Sequence, residues 1–109
     1  MSQSDRKIVW SPLAEQDVAQ QLKYLEQHWG KQACVEYLDR IDEVLAAISY
    51  NPTTYYQVDA NRHIHKFFVN KYIVLYYQVT AYDIGLVTFW DGRQNEDRLA
   101  GRLEKVKKA

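Results

Sequence analysis

The 109-residue sequence contains little cysteine, glycine and proline, and it has no long hydrophobic run. Its one cysteine, Cys34, excludes an internal disulfide, so the fold must rest on its core or on a partner. Only four glycines and two prolines are present, which indicates short turns and no flexible linker. No apolar run approaches the ~20 residues that cross a bilayer, and the N-terminal residues lack the apolar stretch of a signal peptide. A single cytoplasmic domain over residues 1–109 is therefore expected.

Net charge is absent as well, because 14 Lys and Arg balance 14 Asp and Glu. A zero total argues against a uniformly basic or acidic binder. The charges are nevertheless segregated. Residues 11–50 carry three basic and seven acidic side chains, residues 60–82 carry three basic ones and no acid, and residues 93–109 carry six basic and three acidic ones. Basic groups among tyrosines, histidines and phenylalanines suit phosphates and stacked bases, although lysines and arginines on a solvated strand explain the same pattern.

Two amphipathic helices are predicted in the first half of the chain. Ser11 offers an N-cap oxygen and Pro12 suits the first helical position. Apolar residues then recur at spacings of three and four until Gly30, which can adopt the conformation that ends a helix. A second apolar stripe predicts another helix, which Asn51-Pro52 ends. So short a link between the helices predicts an antiparallel hairpin.

Four segments rich in Val, Ile, Phe and Tyr are predicted to be strands: residues 8–10, 62–69, 72–79 and 84–90. The expected fold is therefore α+β in the order β-α-α-β-β-β, an antiparallel sheet with the α-helical hairpin packed on one face. A short C-terminal helix should follow, capped by Asn95.

The register of the strands predicts which side chains face the helices. A two-residue loop at Asn70-Lys71 pairs Phe67 with Val74, and a four-residue turn pairs Val79 with Ile84. Alternation then places on the helix-covered face Ile64, Lys66, Phe68, Ile73, Leu75, Tyr77, Val79, Ile84, Leu86 and Trp90. It places on the opposite face His63, His65, Phe67, Val69, Tyr72, Val74, Tyr76, Gln78, Val87 and Phe89. Since the second set is also apolar, that face should be covered by the C-terminal segment, by another copy or by a different chain.

Three motifs carry a resemblance to a known family: WSPLA at residues 10–14, YIVLYYQV at residues 72–79 and FWDGRQN at residues 89–95. Together with the order of elements, they resemble the RelE/ParE superfamily, the toxins of type II toxin–antitoxin modules. The last motif is similar to that of a plasmid-stabilisation branch. The resemblance implies a cytoplasmic growth-inhibiting toxin with a cognate antitoxin as partner and no cofactor. A homodimer and a toxin–antitoxin hetero-oligomer are both compatible with it.

The resemblance leaves the cellular target open. RelE-like toxins cut mRNA in the ribosomal A site, whereas ParE-like toxins poison DNA gyrase. Arg93 matches the arginine that follows the last strand in the nuclease branch, but the preceding strand arginine falls on Val74 and the late tyrosine falls near Leu99. An incomplete nuclease set favours the ParE-like activity. The alternatives are a RelE-like ribosome-dependent mRNA endonuclease and a non-toxic interaction module of the same fold.

The candidate site residues follow from the chemistry that each alternative needs. RNA cleavage requires positive charge at the phosphate together with proton transfer, and the residues that could supply these are Arg93, Arg62, Lys66, His63 and His65. Contact with the target or with nucleic acid could come from Lys71, Tyr72, Tyr76, Arg93 and Arg98. A salt bridge to Asp91 or Asp97 is the structural alternative for Arg93. No third ligand accompanies the two strand histidines, so no metal is expected.

Overall fold

The computed structural model describes residues 6–108. The elements in chain order are β1 (Lys7–Trp10), α1 (Pro12–Trp29), α2 (Lys31–Tyr50), β2 (Gln57–Asp59), β3 (Ile64–Phe68), β4 (Ile73–Val79), β5 (Asp83–Asp91) and α3 (Glu96–Glu104). The strands form one five-stranded sheet in the order β1-β5-β4-β3-β2. The expected α+β fold is confirmed. The sheet is mixed rather than purely antiparallel, because β1 runs parallel to β5, and the short β2 extends the opposite edge.

The helix boundaries agree with the sequence signals. The Ala14 N–H donates to Ser11 Oγ at 3.0 Å, so Ser11 caps α1 as predicted. Gly30 alone separates α1 from α2 and adopts a φ of 90°, which a residue with a side chain rarely does. Asn51 follows the last residue of α2, as the Asn-Pro pair predicts. The hairpin is thus specified by local chemistry.

Side chains of α1 cover the part of β5 that β1 does not reach. The last pair between the two strands is Trp10 with Leu86. Beyond it, Gln21 Nε2 donates to the Phe89 carbonyl at 2.9 Å, and Asp17 accepts the Phe89 N–H at 3.1 Å. These bonds fix the first helix alongside the end of β5, where the candidate site lies.

The predicted pairing of β3 with β4 is wrong by one residue. Phe67 pairs with Leu75 rather than with Val74, and the connecting loop contains residues 70–72 instead of two residues. A slip of one residue exchanges the two faces of a strand. In β3 the helix-facing residues are therefore His65 and Phe67, with Val69 just after the strand on the same side, and the residues on the opposite face are Ile64, Lys66 and Phe68.

A bulge in β5 produces a second difference. Tyr77 pairs with Leu86 and Tyr76 pairs with Thr88, so Val87 has no partner in β4. The bulge exchanges the faces of the residues after it. Phe89 packs in the core under the helices, and Trp90 lies on the opposite face, the reverse of the prediction.

Two apolar cores lie on the two faces of the sheet. The larger one packs both helices of the hairpin against β4 and β5. The smaller one is formed by Ile64, Val74, Tyr76 and Trp90, with Leu99, Leu103 and Val106 packed against it. Of the three expected covers for the second face, the C-terminal segment is the one observed. None of the helices within residues 6–108 is long and apolar enough to cross a membrane.

Candidate functional site

An open groove of about 970 Å³ lies between α1, the loop before β4, the end of β5 and α3. Aromatic and arginine side chains dominate its walls. They are Tyr24, Trp29, Tyr37, Tyr72, Phe89, Trp90, Arg93, Arg98 and Arg102. Two carboxylates, Asp17 and Asp91, also line it. Trp, Tyr and Arg are the residues that most often dominate binding interfaces.

Arg93 has a fixed orientation at the mouth of the groove. Its Nε and Nη2 donate to the two carboxylate oxygens of Asp91 at 2.9 and 2.6 Å, and its guanidinium lies 4.1 Å from the centre of the Tyr72 ring. The hydrogen bond from the Arg93 side chain lowers the pKa of Asp91, and the same contact raises the pKa of Arg93. The Arg93 side chain is nevertheless 61% exposed. The expected salt bridge with Asp91 therefore leaves one face of the guanidinium open to a ligand.

The loop before β4 positions Tyr72 beneath Arg93. The Asn70 side-chain oxygen accepts the N–H groups of Tyr72 and Ile73, both at 2.9 Å, which closes the turn. Gly92 donates its N–H to the Tyr72 carbonyl at 2.7 Å, and a Cβ at that glycine would lie 3.4 Å from the same oxygen. This close approach ties the end of β5 to the loop, so the tyrosine and the arginine are held together.

A buried ion pair forms the base of the groove. Asp17 is 8% exposed and accepts from Thr88 Oγ1 at 2.5 Å. Arg102 Nη1 lies 3.3 Å from Asp17 Oδ1 and donates to Thr88 Oγ1 at 2.9 Å. The Arg102 guanidinium also stands over the Trp90 ring at 5.0 Å. The buried carboxylate of Asp17 thus connects α1 to β5 through Thr88 and to α3 through Arg102.

Sequence reasoning missed this ion pair, although one signal was available. Asp17 follows Ala14 by three residues and precedes Gln21 by four, which places a carboxylate on the buried stripe of α1. A buried acid requires a partner. The partner, Arg102, lies 85 residues further along the chain and has no local mark. Tyr24 and Trp29 on the facing wall were also missed as site residues.

The two candidate histidines lie elsewhere, around a second cavity of about 430 Å³. His63 precedes β3 and adopts a φ of 53°, so the prediction that both histidines lie on one strand face is wrong. His65 is buried, with Nδ1 2.8 Å from the Tyr55 carbonyl oxygen and its ring stacked on Tyr77 at 5.6 Å. Among residues 6–108, no cluster of three or more His, Cys, Asp or Glu side chains could hold a metal ion.

Arg62 contacts the C-terminal segment rather than the groove. Its Nε donates to the Val106 carbonyl at 2.8 Å, and its Nη1 lies 3.0 Å from Asp59 Oδ2. The main-chain hydrogen bond from Arg62 lowers the pKa of Asp59. Arg62 thus fastens the chain after α3 to the turn before β3.

The remaining candidates divide between the groove and the face that α3 covers. Lys66 Nζ stands 5.2 Å from the Tyr56 ring and 5.5 Å from the Phe68 ring, on the face opposite the helices. Tyr76 is buried under α3, and burial raises its pKa. The structure therefore brings together Tyr72, Arg93 and Arg98, with Lys71 beside Tyr72 at 5.5 Å. It does not bring to them Arg62, Lys66, Tyr76 or either histidine.

The family of the chain is decided by comparison with known proteins. A family model described as the ParE toxin of the type II toxin–antitoxin system parDE matches residues 8–96. The chain belongs to the ParE toxin family. The expected membership of the RelE/ParE superfamily is thereby confirmed.

Two solved structures resemble this ParE-family toxin. A chain of the chromosomal ParDE system from P. aeruginosa has a TM-score of 0.68 and 9% identity, covering 80% of this chain and 96% of that one. A chain of the YoeB dimer from Staphylococcus aureus has a TM-score of 0.56 and 20% identity, covering 79% and 95%. At these identities the likeness establishes the fold alone. No curated protein sequence matches the chain.

Proposed function

We propose that this ParE-family toxin inhibits growth by binding DNA gyrase through the groove that Arg93 borders. One observation carries the proposal. The residues that a nuclease would need are dispersed, because Arg93 lies at the groove, Arg62 holds the C-terminal segment and His63 opens onto a different cavity. Three arginines and exposed aromatic rings suit recognition of a macromolecule by charge and stacking.

The groove itself offers little for proton transfer. Within the described chain, neither a histidine nor a lysine lines it. Its two carboxylates are each engaged by an arginine, Asp17 by Arg102 and Asp91 by Arg93. Burial raises the pKa of Tyr37, which keeps that hydroxyl protonated. A general base would need an accessible group that titrates near neutral pH.

We also propose that a cognate antitoxin neutralises the toxin, since one similar structure belongs to a ParDE system. The other similar structure is a YoeB dimer, so a homodimer and a toxin–antitoxin hetero-oligomer are the assemblies to test. A different chain is one of the covers expected for the sheet face opposite the helices, but α3 covers that face in this structure. Co-expression with a small adjacent gene should restore growth and yield a soluble complex. If the two products neither copurify nor restore growth, this part of the proposal is contradicted.

A supercoiling assay with purified gyrase tests the proposal directly. The toxin should inhibit supercoiling, and Arg93→Gln should raise the concentration required by about tenfold, as expected for a residue central to an interface. Lys23→Gln is the matched control, because Lys23 is exposed on α1 and lies outside the groove.

Two other assays identify the competing functions. Primer extension on translated mRNA would reveal cleavage, and cleavage that Arg93→Gln abolishes, with gyrase unaffected, would establish the RelE-like alternative instead. Growth that continues normally after induction in every host, with gyrase unaffected, would establish the non-toxic interaction module.

A further inference from the structure

Planar rings and an unneutralised cation, Arg98, line the groove, and a second cation, Lys71, lies beside it. We infer that the groove binds an unpaired strand of DNA, with bases stacked on Arg93 and Trp29 and phosphates at Arg98 inside the groove and at Lys71 next to it. The inference rests on the proposed function, because the nucleic acid on which gyrase acts is DNA.

The charges of the groove favour a polyanion. Each of its carboxylates already has a cation, since Arg93 pairs with Asp91 and Arg102 with Asp17. Arg98 lines the groove and Lys71 stands beside Tyr72. Neither of these two side chains has an acidic partner within 4 Å in the described part of the chain. Two cations are thus available for phosphates.

The planar groups are oriented and open. Asp91 holds the edge of the Arg93 guanidinium and Tyr72 covers one of its faces, so the opposite face offers a fixed platform for a base. On the facing wall, Trp29 is 72% exposed at the end of α1 and Tyr24 is 54% exposed. Stacking of a base on a Trp, Tyr or Arg plane is tolerant of sequence and strong for a single contact.

The concave shape of the site selects an unpaired strand over a duplex. Bases in a duplex are stacked on each other, so their faces are not accessible to Trp29 or Arg93. The rings lie within a groove between secondary-structure elements rather than on a projecting helix that could enter the major groove. An acidic protein segment would satisfy the cations equally well, but it would leave the planar faces without matching planar groups. DNA in unpaired form is therefore the favoured ligand.

Fluorescence anisotropy with a labelled 12-nucleotide DNA strand tests the inference. The strand should bind, and Trp29→Ala should weaken binding by about tenfold, the loss expected from one stacked base. Plots of log K against log salt have a negative slope, and Arg98→Gln should make that slope less steep by about 0.7, because one phosphate contact is lost. Both side chains are exposed, so the variants should fold, which circular dichroism can verify.

Two control variants separate the groove from the general surface. Tyr82→Ala removes an aromatic ring that is 81% exposed outside the groove, and Lys23→Gln removes a cation outside it. Neither should change affinity or salt slope. Quenching of tryptophan fluorescence by the unlabelled strand should disappear in Trp29→Phe, since Trp90 is buried and Trp10 lies outside the groove, half-buried and stacked on Phe89.

Several outcomes would overturn the inference: no binding at about 50 mM salt, equal affinity for the duplex, tighter binding of RNA of the same sequence, or an unchanged affinity in Trp29→Ala. The supercoiling assay keeps the two proposals apart. Inhibition of gyrase without any binding of the free strand overturns the inference and leaves the proposed function standing. Binding of the strand without inhibition of gyrase supports the DNA site and contradicts the proposed function.

Discussion

The carboxylate of Asp17 in α1 accepts a hydrogen bond from the main-chain N–H of Phe89 in β5, at 3.1 Å. The same oxygen accepts the Thr88 hydroxyl, and Arg102 in α3 supplies the opposite charge. The Asp17 side chain therefore accepts a main-chain N–H of β5 and connects both α1 and α3 to the sheet. A buried charge with this number of partners is costly to disturb because its removal leaves several polar groups unpaired.

Asp17→Ala should lower the free energy of unfolding by about 3 kcal/mol, because it leaves a buried N–H, a hydroxyl and a guanidinium without their acceptor. Urea denaturation followed by circular dichroism measures this loss. Asp42→Ala on the exposed side of α2 is the matched control and should change stability by no more than about 0.5 kcal/mol. Equal effects of the two substitutions would show that the Asp17 network adds nothing to the fold.

Asp17 and Arg102 should be energetically coupled. In a double-mutant cycle with Asp17→Asn and Arg102→Met, the double variant should be more stable than the sum of the single effects by about 1 kcal/mol or more, because each single change leaves the other group buried without its partner. Thermal unfolding of the four proteins gives the cycle. Additivity within about 0.3 kcal/mol would mean that the ion pair contributes no coupling.

Arg62 should prove to be a structural residue. Arg62→Gln removes its hydrogen bonds to the carbonyls of Glu104 and Val106 and its ion pair with Asp59, so it should cost about 1–2 kcal/mol of stability. Hydrogen exchange should show faster exchange in α3. Inhibitory activity per folded molecule should be unchanged in the purified protein. If Arg62→Gln lost activity while keeping full stability, Arg62 would have a direct role in activity and this assignment would be wrong.

The pKa of Asp91 should respond to its neighbouring arginine. The folded pKa lies below the ordinary value of about 3.9, so the native state releases this proton more readily than the unfolded chain. The resulting stability is fully present above about pH 4 and is lost as the pH falls through the folded pKa. Arg93→Gln should raise that pKa and flatten the acid-side decline in Tm.

NMR titration of the Asp91 carboxyl carbon measures this shift. Arg98→Gln is the control, since Arg98 contacts no carboxylate in the described chain. The cause assigned to the Asp91 shift would be wrong if the titration midpoint stayed the same in Arg93→Gln.

Features decided by neighbouring residues could be predicted from the sequence. The first helix begins at the Ser11-Pro12 pair and ends before Gly30, because capping and the left-handed conformation depend on a few adjacent atoms. The same is true of Asn95, whose side-chain oxygen accepts the Asp97 N–H at 2.8 Å and caps α3.

Features decided by pairing across the sheet could not be predicted in the same way. The loop that Asn70 closes has three residues instead of two, and the β5 bulge adds one residue at Val87. Each of these extra residues shifts the alternation of side chains along the strand by one position, so the side chains of the adjacent segment lie on the opposite face of the sheet from the one predicted. In the site, Arg93 could be found from its place after the last strand, whereas Trp29 and Arg102 become neighbours of the groove only through the packing of distant helices.

The contacts that α1 makes along β5 also affect how the protein behaves at high concentration. An open strand edge is a template onto which another chain can add a strand, and this is a common route to aggregation. On this side of the sheet, β1 pairs with the first part of β5, and Gln21 and Asp17 occupy the main-chain groups of Phe89 beyond it. The part of β5 that β1 does not reach is thereby protected from self-templated growth by the protein's own first helix.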